Sequence, residues 1–128
     1  MVAMLLAEEQ IVAGEQLLKR LEESRLHVDA ALWFYFPDKE KWKLLLSLPG
    51  LAKRGPKVGY REVRRAIAQV EEPIAIELAD VVLARPESEV LGLLRRAVKT
   101  GPGTSRIRFS KNVIDGHLIE DALIYRLE

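Results

Sequence analysis

Histidine and carboxylate side chains that lie close together in the sequence are the first candidates for metal binding. His27 and Asp29 are two residues apart, so they would lie on one face of a strand, a geometry that metal sites use. The local sequence offers no third ligand, and His117 and Asp121 would be roughly 13 Å apart along a strand. The chain has no cysteine, which excludes thiolate zinc sites and cysteine nucleophiles. We therefore predict no metal site and no cofactor.

Hydrolytic chemistry would need residues that are distant in the sequence. The nucleophile motif GxSxG is absent, and no histidine lies near Ser105 or Ser110. A hydrolase or nuclease would have to bring carboxylates such as Asp29, Asp115 or Asp121 together with a histidine in the fold. This is the least favoured of three functional interpretations, and the sequence favours a protein that is not an enzyme.

The segment 97–106, AVKTGPGTSR, has the composition of a phosphate-binding loop, with two glycines beside hydroxyl and cationic side chains. In a P-loop the order is strand, loop, helix, so that backbone amides and the helix N-terminus point at the phosphate. Here the predicted order is helix, loop, strand, which directs the helix carbonyls toward Gly101. We predict that Gly101 adopts the left-handed conformation just past the helix end and that Pro102 prevents the helix from continuing.

Basic residues cluster in two segments that alternate with acidic ones. The first basic block, residues 53–65, has six cations and one acid, and the second basic block, residues 95–111, has six cations and no acid. The candidate anion-binding or nucleic-acid-binding residues in the two blocks are Arg61, Arg64, Arg65, Arg95, Arg96, Lys99, Arg106 and Arg108. If the blocks share a face, they would form a phosphate-binding patch. The favoured alternative is that each cation pairs with a neighbouring acid. No helix-turn-helix, zinc-finger or RNP sequence indicates base-specific reading.

Composition places the chain among ordinary globular proteins. It has 128 residues, a net charge of +1, 48% hydrophobic residues and 30% charged residues, so neither disorder nor a strongly basic nucleic-acid coat is indicated. No run approaches the roughly 20 apolar residues that a membrane span requires. The apolar start meets Glu8 and Glu9 too soon for a signal peptide. We predict a cytoplasmic protein that does not bind membranes.

Hydrophobic periodicity predicts the elements that would position these residues. Steps of three and four residues predict helices over residues 7–25, 56–72 and 86–99. Alternation predicts strands over residues 28–36, 42–48, 74–83, 106–114 and 117–127. The order α-β-β-α-β-α-β-β indicates a single α+β domain over residues 1–128, with a mainly antiparallel sheet and three helices able to cover one of its faces.

The last two strands have the most specific pattern. Asp115 and Gly116 form a two-residue hairpin signal, because both turn positions need positive φ. If Ile114 pairs with His117, the same register places Lys111 opposite Glu120, Phe109 opposite Ala122 and Ile107 opposite Ile124. It also predicts a cross-strand ion pair between Arg108 and Asp121. The segment 110–112 is expected to interrupt the first of these strands.

The first predicted strand is apolar on both faces, since Trp33 and Tyr35 alternate with apolar residues that point the other way. Helices on one face would leave Trp33 and Tyr35 in need of cover. We therefore predict that these two residues form an interface and that the protein is a homo-oligomer, with a dimer as the simplest case.

Over most of its length the chain resembles a family of small bacterial proteins of unassigned function. The resemblance lies in IRFSKNVIDGHLIEDALIYRL, RRAVKTGPG and DAALWFYFPDKEKWKLLLSLP. It implies a bacterial protein and carries over no catalytic residue. The leading interpretation of the whole sequence is a binding protein that associates with itself or with a partner protein, and the alternative is a nucleic-acid-associated protein that uses residues 53–65 and 95–111.

Overall fold

The computed structural model describes residues 5–69, 74–85 and 87–128, and these residues form four helices and one five-stranded sheet. The helices are α1 (Glu8–Glu23), α2 (Pro49–Ala52), α3 (Pro56–Ala68) and α4 (Glu89–Arg95). The strands are β1 (Ala30–Phe36), β2 (Lys41–Ser47), β3 (Val81–Leu83), β4 (Ile107–Ile114) and β5 (His117–Leu127). The predicted α+β class and mainly antiparallel sheet are confirmed. Not one of the helices built from the described residues is long and apolar enough to cross a membrane.

The sheet order is β3-β2-β1-β5-β4, and every neighbouring pair is antiparallel except β2 and β3. These two strands are parallel because the chain returns to the same end of the sheet through α2 and α3 before it enters β3. The predicted strand 74–83 is shorter than expected. Residues Leu78–Asp80 form a 3₁₀ turn, in which the Asp80 carboxylate accepts a hydrogen bond from the Glu77 amide. The predicted helix end at residues 70–72 lies outside the described residues.

The helices cover both faces of the sheet. The first face, which carries Trp33 and Tyr125, packs against α1, α2 and α3. The second face, which carries Leu32 and Ile124, packs against Leu91 of α4. The expectation that all three predicted helices cover one face was therefore wrong. Strands that are apolar on both faces need a layer on each, and α4 supplies the second layer.

The terminal hairpin has the predicted register. Ile107 pairs with Ile124, Phe109 with Ala122, and Ile114 with His117. Asp115 and Gly116 have φ values of 47° and 80°, as the predicted turn requires. The expected pair of Lys111 with Glu120 is missing from the ladder, because Lys111 has a φ of 47° and breaks the regular pleat at that point.

Gly101 does not have the predicted left-handed conformation. Helix α4 ends at Arg95, well before Gly101, and the glycines of the described chain with positive φ are Gly55 and Gly116. The segment after α4 is instead attached to β5. Thr100 donates its amide hydrogen to the carbonyl of Leu127 at 2.8 Å, and Ser105 donates to the carbonyl of Tyr125 at 2.8 Å. The glycines of this loop therefore cap no helix.

Candidate binding groove

All four arginines of the second basic block form ion pairs within the chain. Arg106 contacts Glu15 at 2.6 Å and Glu8 at 2.8 Å, and Arg108 forms the predicted pair with Asp121 at 2.5 Å. Hydrogen bonds to Glu15 and then to Glu8 raise the pKa of Arg106. Arg96 pairs with Asp115, and Arg95 lies 3.6 Å from Asp29. These four side chains therefore join elements of the fold, in keeping with the favoured interpretation of the block.

In the first basic block, by contrast, most cations have no acidic partner among the described residues. Lys57, Arg61 and Arg64 recur at steps of four and three residues on the exposed side of α3, and they form no ion pair with any described acid. Arg65 contacts Glu62 at 3.4 Å. Helix α3 covers the first face of the sheet, whereas Arg95 and Arg96 lie at the end of α4 on the second face. The structure therefore separates Arg95 and Arg96 from the cations of α3, whereas Arg106 and Arg108 lie on the first face, where they contact α1 and the Trp42 ring.

The carboxylates and histidines proposed for hydrolytic chemistry also lie apart. Asp29, Asp115 and Asp121 each face a different arginine. The Nε2 atom of His27 is 3.6 Å from Glu128 Oε2. Within residues 5–69, 74–85 and 87–128, no three side chains of the metal-binding types come close enough to hold an ion.

Trp33 and Tyr35 are covered by the chain itself. Trp33 is 0% exposed and Tyr35 is 4% exposed, both within the core beneath the helices of the first face. The Trp33 indole donates a hydrogen bond to the Tyr125 hydroxyl at 2.9 Å. The reason for placing an interface at these two residues was an uncovered apolar face, and that reason does not hold.

An apolar groove of about 580 Å³ lies where β2 and β3 end side by side. Its walls are α2, the first turn of α3 and the residues that follow β3. The lining residues are Leu48, Pro49, Leu51, Ala52, Lys53, Gly55, Pro56, Gly59, Leu83, Ala84, Arg85 and Glu87. The carboxyl ends of parallel strands commonly form ligand sites, because the connections that leave neighbouring strands there can diverge and open a crevice. We call this the first groove.

The charged groups of the first groove are mainly cationic. Lys53 and Arg85 are exposed at its walls, and the side chain of neither makes a hydrogen bond or ion pair with another described residue. Glu87 is the single acid among the described residues of the lining. Arg54 and Lys57 are exposed next to lining residues and extend the positive charge toward the stripe on α3. The groove can therefore hold a group that is apolar in part and negative in part.

A second groove of about 390 Å³ lies on the second face of the sheet. Phe36, Leu45, Val82 and Val90 give it an apolar lining. It shares Ala84, Arg85 and Glu87 with the first groove, so the chain that follows β3 separates the two.

The outer edge of β3 offers few free hydrogen-bond donors. The Leu83 amide donates to the Tyr60 hydroxyl at 3.1 Å, and the Val81 amide donates to the carbonyl of Leu78. A further strand would therefore find these two amides occupied. This edge therefore favours recognition by side chains over pairing with an added strand.

The sequence pointed to part of this site. The first basic block contains Lys53, but neither Lys53 nor Arg85 was among the individual residues predicted to bind. The missing signal is the parallel crossover, which brings the chain after β3 next to the chain after β2 and is not visible in local periodicity. The chain matches no protein-family model, and the search of curated proteins and of solved structures returned no significant match, so the resemblance to small bacterial proteins stays a prediction.

Proposed function

We propose that this is a non-enzymatic binding protein and that its first groove holds an acidic segment of a partner protein that also carries apolar side chains. The observation that carries the proposal is the combination of an apolar groove with cations that have no acidic partner among the described residues. Apolar groups of the partner would supply most of the affinity, because their burial removes them from water. The unpaired cations would select a negative partner and speed its approach.

A protein segment suits the groove better than a nucleic acid does. Single-stranded nucleic acids are held largely by stacking of bases on aromatic side chains. The part of the chain that the structure describes contributes no aromatic residue to the lining of the first groove. The stripe of Lys57, Arg61 and Arg64 could contact phosphates. Nucleic acid is therefore the alternative ligand, and the experiment must distinguish it from a peptide.

The partner in this proposal is a cytoplasmic protein, in keeping with a chain that has no cysteine. A second copy of the chain is the self-associating form of the same proposal, and the resemblance to small bacterial proteins suggests a bacterial setting. The groove then replaces Trp33 and Tyr35 as the expected contact surface.

Selection from a displayed library of random dodecapeptides tests the proposal. We expect wild-type protein to enrich peptides that contain both Asp or Glu and large apolar residues. Charge reversal of the groove with Lys53→Glu and Arg85→Glu should weaken the enriched peptides by at least about tenfold, or about 1.4 kcal/mol. The matched control is Lys39→Glu with Lys41→Glu, two exposed lysines at the turn between β1 and β2, and it should leave their affinity within about twofold.

Three other outcomes would contradict or redirect the proposal. Enrichment without acidic residues, or affinity that is indifferent to the groove reversal, would show that the site is elsewhere. Binding of labelled single-stranded DNA that is lost with Arg61→Glu and Arg64→Glu, without peptide enrichment, would assign the nucleic-acid function. A dimer in sedimentation that dissociates on groove reversal would identify the partner as a second copy.

A further inference from the structure

The two grooves lie back to back across the edge of the sheet. Successive residues of β3 point to opposite faces, so Leu83 lines the first groove and Val82 lines the second. The residues common to both linings are Ala84, Arg85 and Glu87. An occupant of the first groove that continues past Arg85 therefore reaches the second groove without leaving the protein surface.

Arg85 is the cation between the two apolar sites, and Glu87 is the acid there. The Arg85 side chain is exposed and has no hydrogen-bond or ion-pair partner in the described part of the chain. A carboxylate placed between two apolar side chains of the occupant would meet it directly, and an arginine can bind a carboxylate with two parallel hydrogen bonds.

The spacing of the apolar groups follows from the thickness of the structure. A layer packs about 10 Å from the sheet that it covers, so a groove between the two lies about 5 Å from the sheet plane, and grooves on opposite faces lie about 10 Å apart. An extended chain advances about 3.3 Å per residue. Two side chains that enter grooves on opposite sides of the sheet edge are therefore about three residues apart. Because the Leu83 and Val81 amides are already bonded, the occupant is held by its side chains and not as an added strand.

We infer that the partner segment crosses the edge of the sheet beside Arg85 and places one apolar side chain in each groove, with these two residues three positions apart and an acidic residue between them. The inference rests on the proposed function and adds to it a specific sequence requirement. The partner is thus a protein with an exposed segment of the type apolar, any residue, acidic, apolar, or apolar, acidic, any residue, apolar.

Fluorescence anisotropy with three labelled peptides tests this requirement. The peptide GSELEDLESG has two leucines three positions apart, GSELEDSESG has one leucine, and GSLEDEDELSG has two leucines six positions apart. We expect the first peptide to bind at least about tenfold more tightly than the other two, since a buried leucine contributes about 1.5–3 kcal/mol.

Variants that fill one groove at a time separate the two sites. Ala52 lines the first groove alone and is exposed, and Val90 lines the second groove alone. Ala52→Trp should weaken both GSELEDLESG and GSELEDSESG by about tenfold, whereas Val90→Trp should weaken only GSELEDLESG. Phe36→Ala removes a wall of the second groove and should act like Val90→Trp, which guards against misfolding of one variant. Circular dichroism checks the fold of all three.

The results also separate this inference from the proposed function. If Val90→Trp and Phe36→Ala leave GSELEDLESG unaffected while Ala52→Trp weakens it, the partner uses the first groove alone and the inference is wrong. The inference is also wrong if GSELEDLESG binds no better than the one-leucine peptide, or does not bind at all. If the proposed function is wrong, the library peptides will instead bind the Lys53→Glu with Arg85→Glu variant as tightly as wild type.

Discussion

At the scale of single residues, Tyr125 holds the first face of the sheet together. Its side chain is 0% exposed, and its hydroxyl accepts a hydrogen bond from the Trp33 indole and donates one to the carbonyl of Ile11 at 2.6 Å. Burial raises the pKa of Tyr125, so the hydroxyl stays neutral and keeps the proton that it donates. A Cβ atom on Gly14 would lie 2.3 Å from this hydroxyl, so glycine is what allows α1 to approach.

Tyr125→Phe should destabilise the protein by about 1–3 kcal/mol, because it leaves the buried Trp33 indole N–H without an acceptor and removes the hydrogen bond to the Ile11 carbonyl. Urea unfolding measures the free-energy change. The matched control is Tyr35→Phe, since Tyr35 is also buried but its hydroxyl makes no hydrogen bond within the described residues. Equal losses in the two variants would show that the Tyr125 hydrogen bonds contribute nothing specific.

The sequence identified Trp33 and Tyr35 as residues that need cover but misjudged what covers them. Alternation along a strand shows which residues share a face. It does not show which helix packs on that face, because this depends on the path of the chain between distant elements. The hydrogen bond from Trp33 to Tyr125 joins residues 92 positions apart, and no local pattern indicates it.

At the scale of elements, local chemistry decided which predictions succeeded. The turn at Asp115 and Gly116 needs only two adjacent residues with positive φ, and the register of β4 and β5 follows from the turn. The conformation of Gly101 depends instead on where α4 ends, and on the bonds from Thr100 and Ser105 to β5. The first was therefore predictable from the sequence, and the second was not.

A pair of glycine substitutions tests this distinction. Gly116→Ala should destabilise the protein by about 1–2 kcal/mol, because an L-residue is strained in the left-handed region. Gly101→Ala should be neutral or stabilising by up to about 1 kcal/mol, since Gly101 has ordinary φ and open space around its Cα and alanine restricts the unfolded chain. Thermal unfolding of both variants checks the prediction. If Gly101→Ala destabilises the protein more than Gly116→Ala does, Gly101 caps a helix as the sequence suggested.

At the scale of the whole molecule, the sequence predicted most of the elements and missed how they are arranged. The α+β class, the terminal hairpin and the basic character of residues 53–65 followed from periodicity and composition. The parallel pairing of β2 with β3, and the placement of α4 opposite α3, did not. The grooves arise from that arrangement, so Arg85 became a candidate binding residue only in the folded chain.

Ion pairs between distant segments tie these layers together. Arg106 joins the start of β4 to α1, and Arg126 joins β5 to Glu22 of α1 at 3.1 Å. Arg108 and Asp121 join the two strands of the terminal hairpin. Such pairs stabilise the fold only while the carboxylates are ionised, so the molecule should lose stability in acid.

Asp121 gives this expectation a testable form. Partial burial alone would raise its pKa, but hydrogen bonds from Arg108 and Ser110 outweigh burial and hold the pKa below its ordinary value. A carboxylate with a lowered folded-state pKa adds stability that is fully present above its unfolded pKa, about 3.9, and is lost as the pH falls through the folded value. The difference in unfolding free energy between wild type and Asp121→Asn should therefore be constant above about pH 5 and shrink below about pH 4.

Urea unfolding from pH 7 to pH 2 measures this difference. The control is Asp38→Asn, because Asp38 is exposed in the turn between β1 and β2 and pairs with no described residue, so its gap from wild type should stay near zero. If the difference in unfolding free energy between wild type and Asp121→Asn is unchanged at pH 2, the aspartate stabilises the hairpin by shape and not by charge. A gap that closes in acid would show that the pairing of Arg108 with Asp121 depends on the carboxylate charge, as the geometry of the folded hairpin indicates.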